Sequence, residues 1–185
     1  MTSDGICLVT RAAHFAAQRH ADQRRKGRRR EPYVNHLAEV AALLSEATEG
    51  EDAALVAAAF LHDTIEDTRT SLEELRDLFG EDIAAVVMEV TDDKSLPKLE
   101  RKRLQIVTTP KKSQRAKLLK LADATSNVRA LAVDPPADWD ADRALDYIAW
   151  AGQVIGHCRG LNSKLEQAFD AAVSGARAAV LSRVA

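Results

Sequence analysis

The chain has 185 residues, a formal net charge of −2, 46% hydrophobic residues and 29% charged residues. That balance supplies a core and excludes a disordered polyelectrolyte. The slight acidity argues against a protein whose main work is gripping nucleic-acid phosphates, and the longest unbroken apolar run, Ala53 to Leu61, is far too short to cross a membrane.

Abundant alanine, 4% aromatics and five prolines lean to helix. Gly5 to Gln23 reads as a first helix with Val9, Ala12, Ala13 and Ala16 on one face. A basic loop, Arg24 to Arg30, follows, and Pro32 blocks continuation. Asn35 is the expected N-cap of a second helix that Gly50 ends. Glu51 and Asp52 open a third, whose body from Ala53 to Leu61 is apolar on every side and so belongs in the middle of a bundle. Ser71-Leu72-Glu73-Glu74 fits a capping box for a helix stopping at Gly80. Further helices are expected over Glu81–Glu89, Lys98–Val107 and Ser113–Leu131. From Trp139 to the C-terminus the pattern is again helical, with breaks at Gly160 and Gly175. No internal repeat, strand alternation or long linker stands out. The expectation is an all-α, compact helical bundle forming one domain over residues 1–185.

Chemistry concentrates at His62-Asp63-Thr64-Ile65-Glu66-Asp67, at the end of the most apolar helix. A His-Asp pair alone is weak evidence in a chain with five histidines and 16 aspartates. Its position says more. A carboxylate delivered beside a protein interior needs a cation or strong donors, and a metal ion supplies that compensation. His62 and Glu66, and Asp63 and Asp67, are four apart, so each pair shares a flank if the helix continues. An exposed, solvated acidic helix end would carry the same letters. Two distant segments favour the metal. His36 sits in the first turn of a helix. Asp123 is a lone carboxylate in an apolar stretch, with Asn127 one turn on. His36, His62, Asp63 and Asp123 make an N₂O₂ set suited to a first-row divalent ion, with manganese, iron, cobalt and zinc left open.

The order Arg25-Lys26, Pro32-Tyr33-Val34-Asn35-His36, His62 to Asp67, Val90 to Arg103, Lys120-Leu121-Ala122-Asp123 through Asn127, Asp142-Arg143 and Tyr147 to Trp150 resembles the HD-superfamily hydrolase domain of RelA/SpoT proteins, in its stand-alone form. The resemblance covers nearly the whole chain. It implies an HD-type fold and hydrolysis of the 3′-pyrophosphate of ppGpp or pppGpp to GDP or GTP and pyrophosphate, with one Mn²⁺. Carried over residue by residue, it implies His36, His62, Asp63 and Asp123 as metal ligands and Glu66 and Asp67 as the acidic pair beside the attacking water. Arg25, Lys26, Asn127, Arg143 and Tyr147 are implied around the nucleotide. The expected partner is therefore a small nucleotide, with no membrane and no nucleic acid. The unpaired spacing of Cys7 and Cys158 and the absence of a secretion pattern give a cytoplasmic expectation.

The family usually places a basic residue, a leucine and a His or Tyr between the aspartate and the asparagine. Here the stretch is Ala124-Thr125-Ser126, with shorter side chains, which bears on nucleotide contacts and substrate preference. Two alternatives stand beside ppGpp hydrolysis. One is removal of the 2′-phosphate of NADPH at the same site. The other is a non-catalytic nucleotide or nucleic-acid binder using Arg24 to Arg30. His14, His20 and His157 have no partner at ligand spacing, and Trp139 and Trp150 read as packing residues.

Overall fold

The computed structural model describes residues 2–184 and is built from helices, with no β-strand among the described residues. Ten α-helices follow one another: α1 (Ser3–Arg19), α2 (Val34–Ala47), α3 (Ala53–Leu61), α4 (Thr64–Asp67), α5 (Leu72–Phe79), α6 (Glu81–Val90), α7 (Lys98–Thr108), α8 (Gln114–Val133), α9 (Ala141–Gly156) and α10 (Ser163–Ser182). A 3₁₀ turn at Thr109–Lys111 joins α7 to α8.

The apolar body of α3 becomes the axis of the bundle. Leu55 to Ala59 and Leu61 are buried, and α3 packs against α1, α2 and α6. Its buried Val56, Ala57, Ala58 and Ala59 leave room for neighbouring helices to approach closely, while Leu55 and Leu61 fill the gaps. A second contact, α8 against α10 and α2, closes the other side. One cluster of buried side chains runs from Ala12 on α1 to Ala176 on α10.

Local chemistry sets most boundaries. Asp52 caps α3 by accepting from the Leu55 amide, Ser71 caps α5 by accepting from the Glu74 amide, and Ser113 caps α8 by accepting from the Ala116 amide. Only half of the expected capping box forms, because the Glu74 carboxylate pairs with Arg19 instead. Three expectations need correction. Asn35 is not a cap: α2 begins at Val34, after Tyr33, and Asn35 lies within its first turn. The first helix stops at Arg19 rather than Gln23, where the buried His20 ring turns to meet Gln23. Gly175 does not break α10. A break does come at Gly160, whose φ of 83° suits a residue without a Cβ.

The basic loop between α1 and α2 is clipped to the end of α8. The Arg28 and Arg29 amides donate to the Asp134 carboxylate at 3.0 and 3.1 Å. Gly27 makes this possible, since a Cβ there would lie 2.6 Å from the Asp134 carbonyl oxygen. Gly27→Ala is therefore expected to force the loop off Asp134 at a cost of about 1–3 kcal/mol, read as a lowered urea midpoint with an unchanged far-UV spectrum.

Candidate metal centre and nucleotide cleft

The chain does not run straight through its central motif. After Leu61 the backbone breaks: Asp63 adopts φ −99°, ψ 0°, and the Thr64 hydroxyl donates to the Leu61 carbonyl at 2.6 Å. The short α4 then starts on a new line. His62 and Asp63 stay at the buried end of α3, while Glu66 and Asp67 are carried outward, so the continuous flank expected from the sequence is replaced by a corner.

At that corner His36 from α2, His62 and Asp63 from the end of α3, and Asp123 from α8 converge. One ligating atom each from His36, His62 and Asp123 lies within 4.8 Å of the others. The Asp63 carboxylate joins them, 3.1 Å from His62 Nε2 and 3.8 Å from His36 Nε2. Asp123 Oδ1 lies 3.2 Å from His36 Nε2 and 3.8 Å from His62 Nε2. Both imidazoles are buried, and neither Nε2 has a hydrogen-bond partner.

The outer nitrogens explain why. His62 Nδ1 donates to the Ala59 carbonyl at 2.7 Å. His36 Nδ1 meets Ser126 Oγ at 2.8 Å, and that hydroxyl gives its own proton to Glu39 at 2.6 Å, so the ring must donate. With Nδ1 protonated on both rings, the neutral Nε2 atoms present lone pairs towards two carboxylates. Four acceptors then face one another in an apolar interior, an arrangement that only a positive charge relieves. In the metal-free protein a proton supplies part of it. Burial opposes charge on His62, but the carboxylates of Asp63 and Asp123 more than offset this and hold its pKa well above the usual value. Burial, helped by the charges of Arg25 and His62, keeps His36 below it despite the neighbouring Asp123. Burial would likewise raise both carboxyls, yet the adjacent imidazoles hold Asp63 and Asp123 below the usual carboxylate range. The donor set fits a divalent ion of the first transition row.

Other side chains lock the ligands. Asn127 donates to Asp123 Oδ1 at 2.6 Å, and Arg25 donates to Asn127 Oδ1 at 3.0 Å. The Tyr33 hydroxyl donates to Asp63 at 2.6 Å, and its ring stacks on His20. From there a second chain runs to Asp67: His20 Nδ1 contacts Gln23 Oε1, and Gln23 Nε2 donates to Asp67 at 2.8 Å. Lys94 pairs with the other Asp67 oxygen.

Glu66 faces the metal cluster across an inner chamber of about 180 Å³, lined also by Asp123, Lys120 and Tyr147. Its carboxylate accepts from the Asp92 amide at 3.0 Å and lies 3.8 Å from both Lys94 and Arg101. Burial, helped by the charges of Asp63 and Asp92 and only partly countered by the Asp92 amide, pushes Glu66 up to about 7. The chamber opens into a cleft of about 660 Å³. Eight Lys or Arg and five Asp or Glu side chains line it, a local excess of three positive charges on a chain of net charge −2. Crowding shows at Lys98, whose pKa is lowered by burial and by Arg143, Lys26 and Arg101. Arg25, Lys26, Asn127, Arg143 and Tyr147 all line this cleft.

Sequence reasoning missed part of the wall. Trp139 and Trp150 flank Tyr147 with ring centroids 5.4 and 5.3 Å away, and all three line the cleft. Arg143, Tyr147 and Trp150 are spaced four and three apart on α9, while Lys98, Arg101, Lys102 and Gln105 make a polar stripe on α7. Both spacings were available as signals. Within the basic run, Arg24, Arg25 and Lys26 line the cleft, whereas Arg28, Arg29 and Arg30 are exposed outside it. The short side chains of Ala124, Thr125 and Ser126 do not line the cleft. Thr125 and Ser126 are buried, and Ser126 supports His36.

Fold and cluster together define the class: an all-α protein with an interior divalent-metal site. The HD domain family model matches residues 12–148, and the chain belongs to that family. It is 48% identical over 170 residues to the guanosine-3′,5′-bis(diphosphate) 3′-pyrophosphohydrolase MESH1 of Xenopus tropicalis, covering 92% of this chain and 94% of that one. It is 47% identical over 158 residues to the Homo sapiens protein of the same name, covering 85% and 88%. A solved structure, described as a metazoan ortholog of SpoT that hydrolyses ppGpp and plays a role in starvation responses, superposes with a TM-score of 0.86. The two are 44% identical, over 90% of this chain and 94% of that one.

Two outcomes follow from the electrostatics. A divalent cation entering the cluster must displace the proton on His62. Calorimetric titration with Mn²⁺ in buffers of different ionisation enthalpy is therefore expected to show proton release, with affinity rising with pH. Glu66 has a folded pKa above its ordinary 4.5, so its contribution to stability is complete below about 4.5 and lost as pH rises through about 7. Glu66→Gln keeps the acceptor for the Asp92 amide but cannot ionise. In metal-free protein it is expected to gain about 1–3 kcal/mol on wild type at about pH 8, and little at about pH 4, by urea unfolding.

Proposed function

We propose that the chain is a Mn²⁺-dependent hydrolase that removes the 3′-pyrophosphate of ppGpp or pppGpp. The observation that carries this reading is the inner chamber, bounded on one side by His62, Asp63 and Asp123 of the metal cluster and on the other by Glu66, and opening into a cationic, aromatic-walled cleft. The relatives named for the same activity support it.

His36, His62, Asp63 and Asp123 would hold the ion, which when bound lowers the pKa of a coordinated water and polarises a phosphoryl oxygen. Glu66, half-buried and raised towards neutral pH, is suited to take a proton from water at the phosphorus that carries the ribose 3′ oxygen. Asp67, fixed by Gln23 and Lys94, sits beside it. When the bond from phosphorus to the 3′ oxygen breaks, that oxygen leaves as the ribose hydroxyl by taking a proton from the Glu66 carboxylic acid, and Lys94 and Arg101 are placed to offset charge on the released pyrophosphate. Tyr147, between Trp139 and Trp150, offers a flat surface for a base, and Arg25, Lys26 and Arg143 offer cations for the 5′ phosphates. One helical domain suffices for every residue in this scheme. No helix among the described residues is long and apolar enough to cross a membrane, and both cysteines are free, which suits a cytoplasmic setting. NADPH dephosphorylation gains no support over ppGpp hydrolysis from these relatives. The exposed Arg28 to Arg30, half tied to Asp134 through their backbone, make a poor nucleic-acid surface.

Purified protein with Mn²⁺ is expected to release pyrophosphate from ppGpp with a higher kcat/KM than it shows for NADPH dephosphorylation. Glu66→Ala is expected to lower kcat by about 10²–10⁴-fold while Mn²⁺ binding and the far-UV spectrum persist. Absence of ppGpp turnover with any of Mn²⁺, Fe²⁺, Co²⁺ or Zn²⁺ overturns the reading.

A further inference from the structure

Behind the metal cluster, away from the nucleotide cleft, a polar chain runs outward through residues with no assigned role. Ser126 is buried at 1% exposure and its single hydroxyl stands between two partners, His36 Nδ1 at 2.8 Å and Glu39 Oε2 at 2.6 Å. Glu39 in turn accepts from Arg129 at 3.1 Å on its other oxygen. Neither Ser126, Glu39 nor Arg129 lines the cleft or the inner chamber. They border a separate cavity of about 500 Å³ against α10.

The direction of each hydrogen bond is forced. A carboxylate paired with Arg129 can only accept, so the Ser126 proton goes to Glu39. The oxygen of Ser126 then has only lone pairs left, so His36 must donate from Nδ1, which leaves Nε2 bare and aimed at Asp123 and Asp63. Metal-binding imidazoles need such an outer partner to fix ring orientation and tautomer. His62 takes its own from the Ala59 carbonyl, which cannot donate. His36 has no backbone carbonyl in that role. A serine alone would be ambiguous, since its hydroxyl can donate as readily as accept. The glutamate removes the ambiguity. The short side chain at this position places its hydroxyl within hydrogen-bond reach of both His36 Nδ1 and Glu39 Oε2.

We propose that Ser126, polarised by Glu39, is a positioning residue that holds His36 in the tautomer able to ligate the metal, so that the chain's departure at Ala124-Thr125-Ser126 acts on metal binding and not on nucleotide contacts. This deepens the functional reading above and rests on its assignment of His36 as a ligand. Removing either partner leaves Nδ1 without its acceptor or lets Ser126 turn its proton towards the ring. The imidazole proton then moves to Nε2, where Asp123 lies 3.2 Å away.

The test uses metal-free full-length protein. Long-range ¹H–¹⁵N correlation spectra are expected to show His36 protonated at Nδ1 in wild type and at Nε2 in Ser126→Ala and Glu39→Ala. Titration with Mn²⁺ is expected to give a dissociation constant about 10–100-fold weaker for both variants. The KM for ppGpp at saturating Mn²⁺ should stay as in wild type, because neither residue touches the cleft. Glu39 is 38% exposed, so Glu39→Ala decides the matter if Ser126→Ala fails to fold. A folded variant that keeps both the Nδ1 pattern and wild-type Mn²⁺ affinity overturns the proposal, as does wild-type protein with His36 protonated at Nε2. Wild-type protein that shows the expected tautomer and binds Mn²⁺ but releases no pyrophosphate from ppGpp overturns the functional reading and leaves this inference standing.

Discussion

Four hydrogen-bond acceptors converge inside this bundle with no donor between them. Two imidazole nitrogens and two carboxylates, drawn from α2, the end of α3 and α8, would repel one another in a medium of low polarity. The surrounding structure does not remove that conflict. It stabilises it, with Tyr33 and Asn127 donating to the carboxylates and Ala59 and Ser126 accepting from the rings. A site so constructed is stable only with positive charge at its centre, whether protons or a divalent ion.

The rest of the architecture serves that point. The apolar α3 is long enough to bury its own C-terminal end yet stops at His62, so the ligands sit where packed helices exclude bulk water. The backbone corner at Asp63 then separates two tasks. Residues before it face the cluster. Residues after it, Glu66 and Asp67, face the chamber and the cleft. A continuous helix would have put all four on one stripe and left no space between carboxylate and metal for a water and a phosphoryl group. The same corner sets the electrostatic character of Glu66, which is buried enough to be raised and near enough to Lys94 and Arg101 to be matched with an anionic substrate.

Around the chamber, charge is arranged against the average of the molecule. An acidic chain presents a cationic cleft because α7 turns its Lys98, Arg101 and Lys102 stripe inward, with no residue of α7 fully buried. The loop before α2 brings Arg24, Arg25 and Lys26 to the same space, and Asp134 holds it there through the Arg28 and Arg29 amides. Composition argues against a protein whose main work is gripping nucleic-acid phosphates. It could not reveal that local sign reversal, because net charge carries no spatial information.

The sequence by itself determined the helical class, the central place of Ala53–Leu61 and the four candidate ligands. Each of these depends on local pattern: period, capping residue, and polar side chains at the end of an apolar run. Only the tertiary structure decided what those side chains face. The break at Asp63 lies in a run whose spacing reads as continuous helix, because the buried Thr64 hydroxyl takes the Leu61 carbonyl and overrides propensity there. Trp139 and Trp150 look like core residues in one dimension, yet they form a wall with Tyr147 because α9 lies beside α7. Glu39, His20 and Gln23 carry no signal in the sequence, and the departure at Ser126 was legible without its role, since these roles come from partners up to 90 positions away and from which atom in each pair has a proton to give. The chemistry of the site was legible as a list of residues, whereas its polarity, its open chamber and the direction of its hydrogen bonds came from folding.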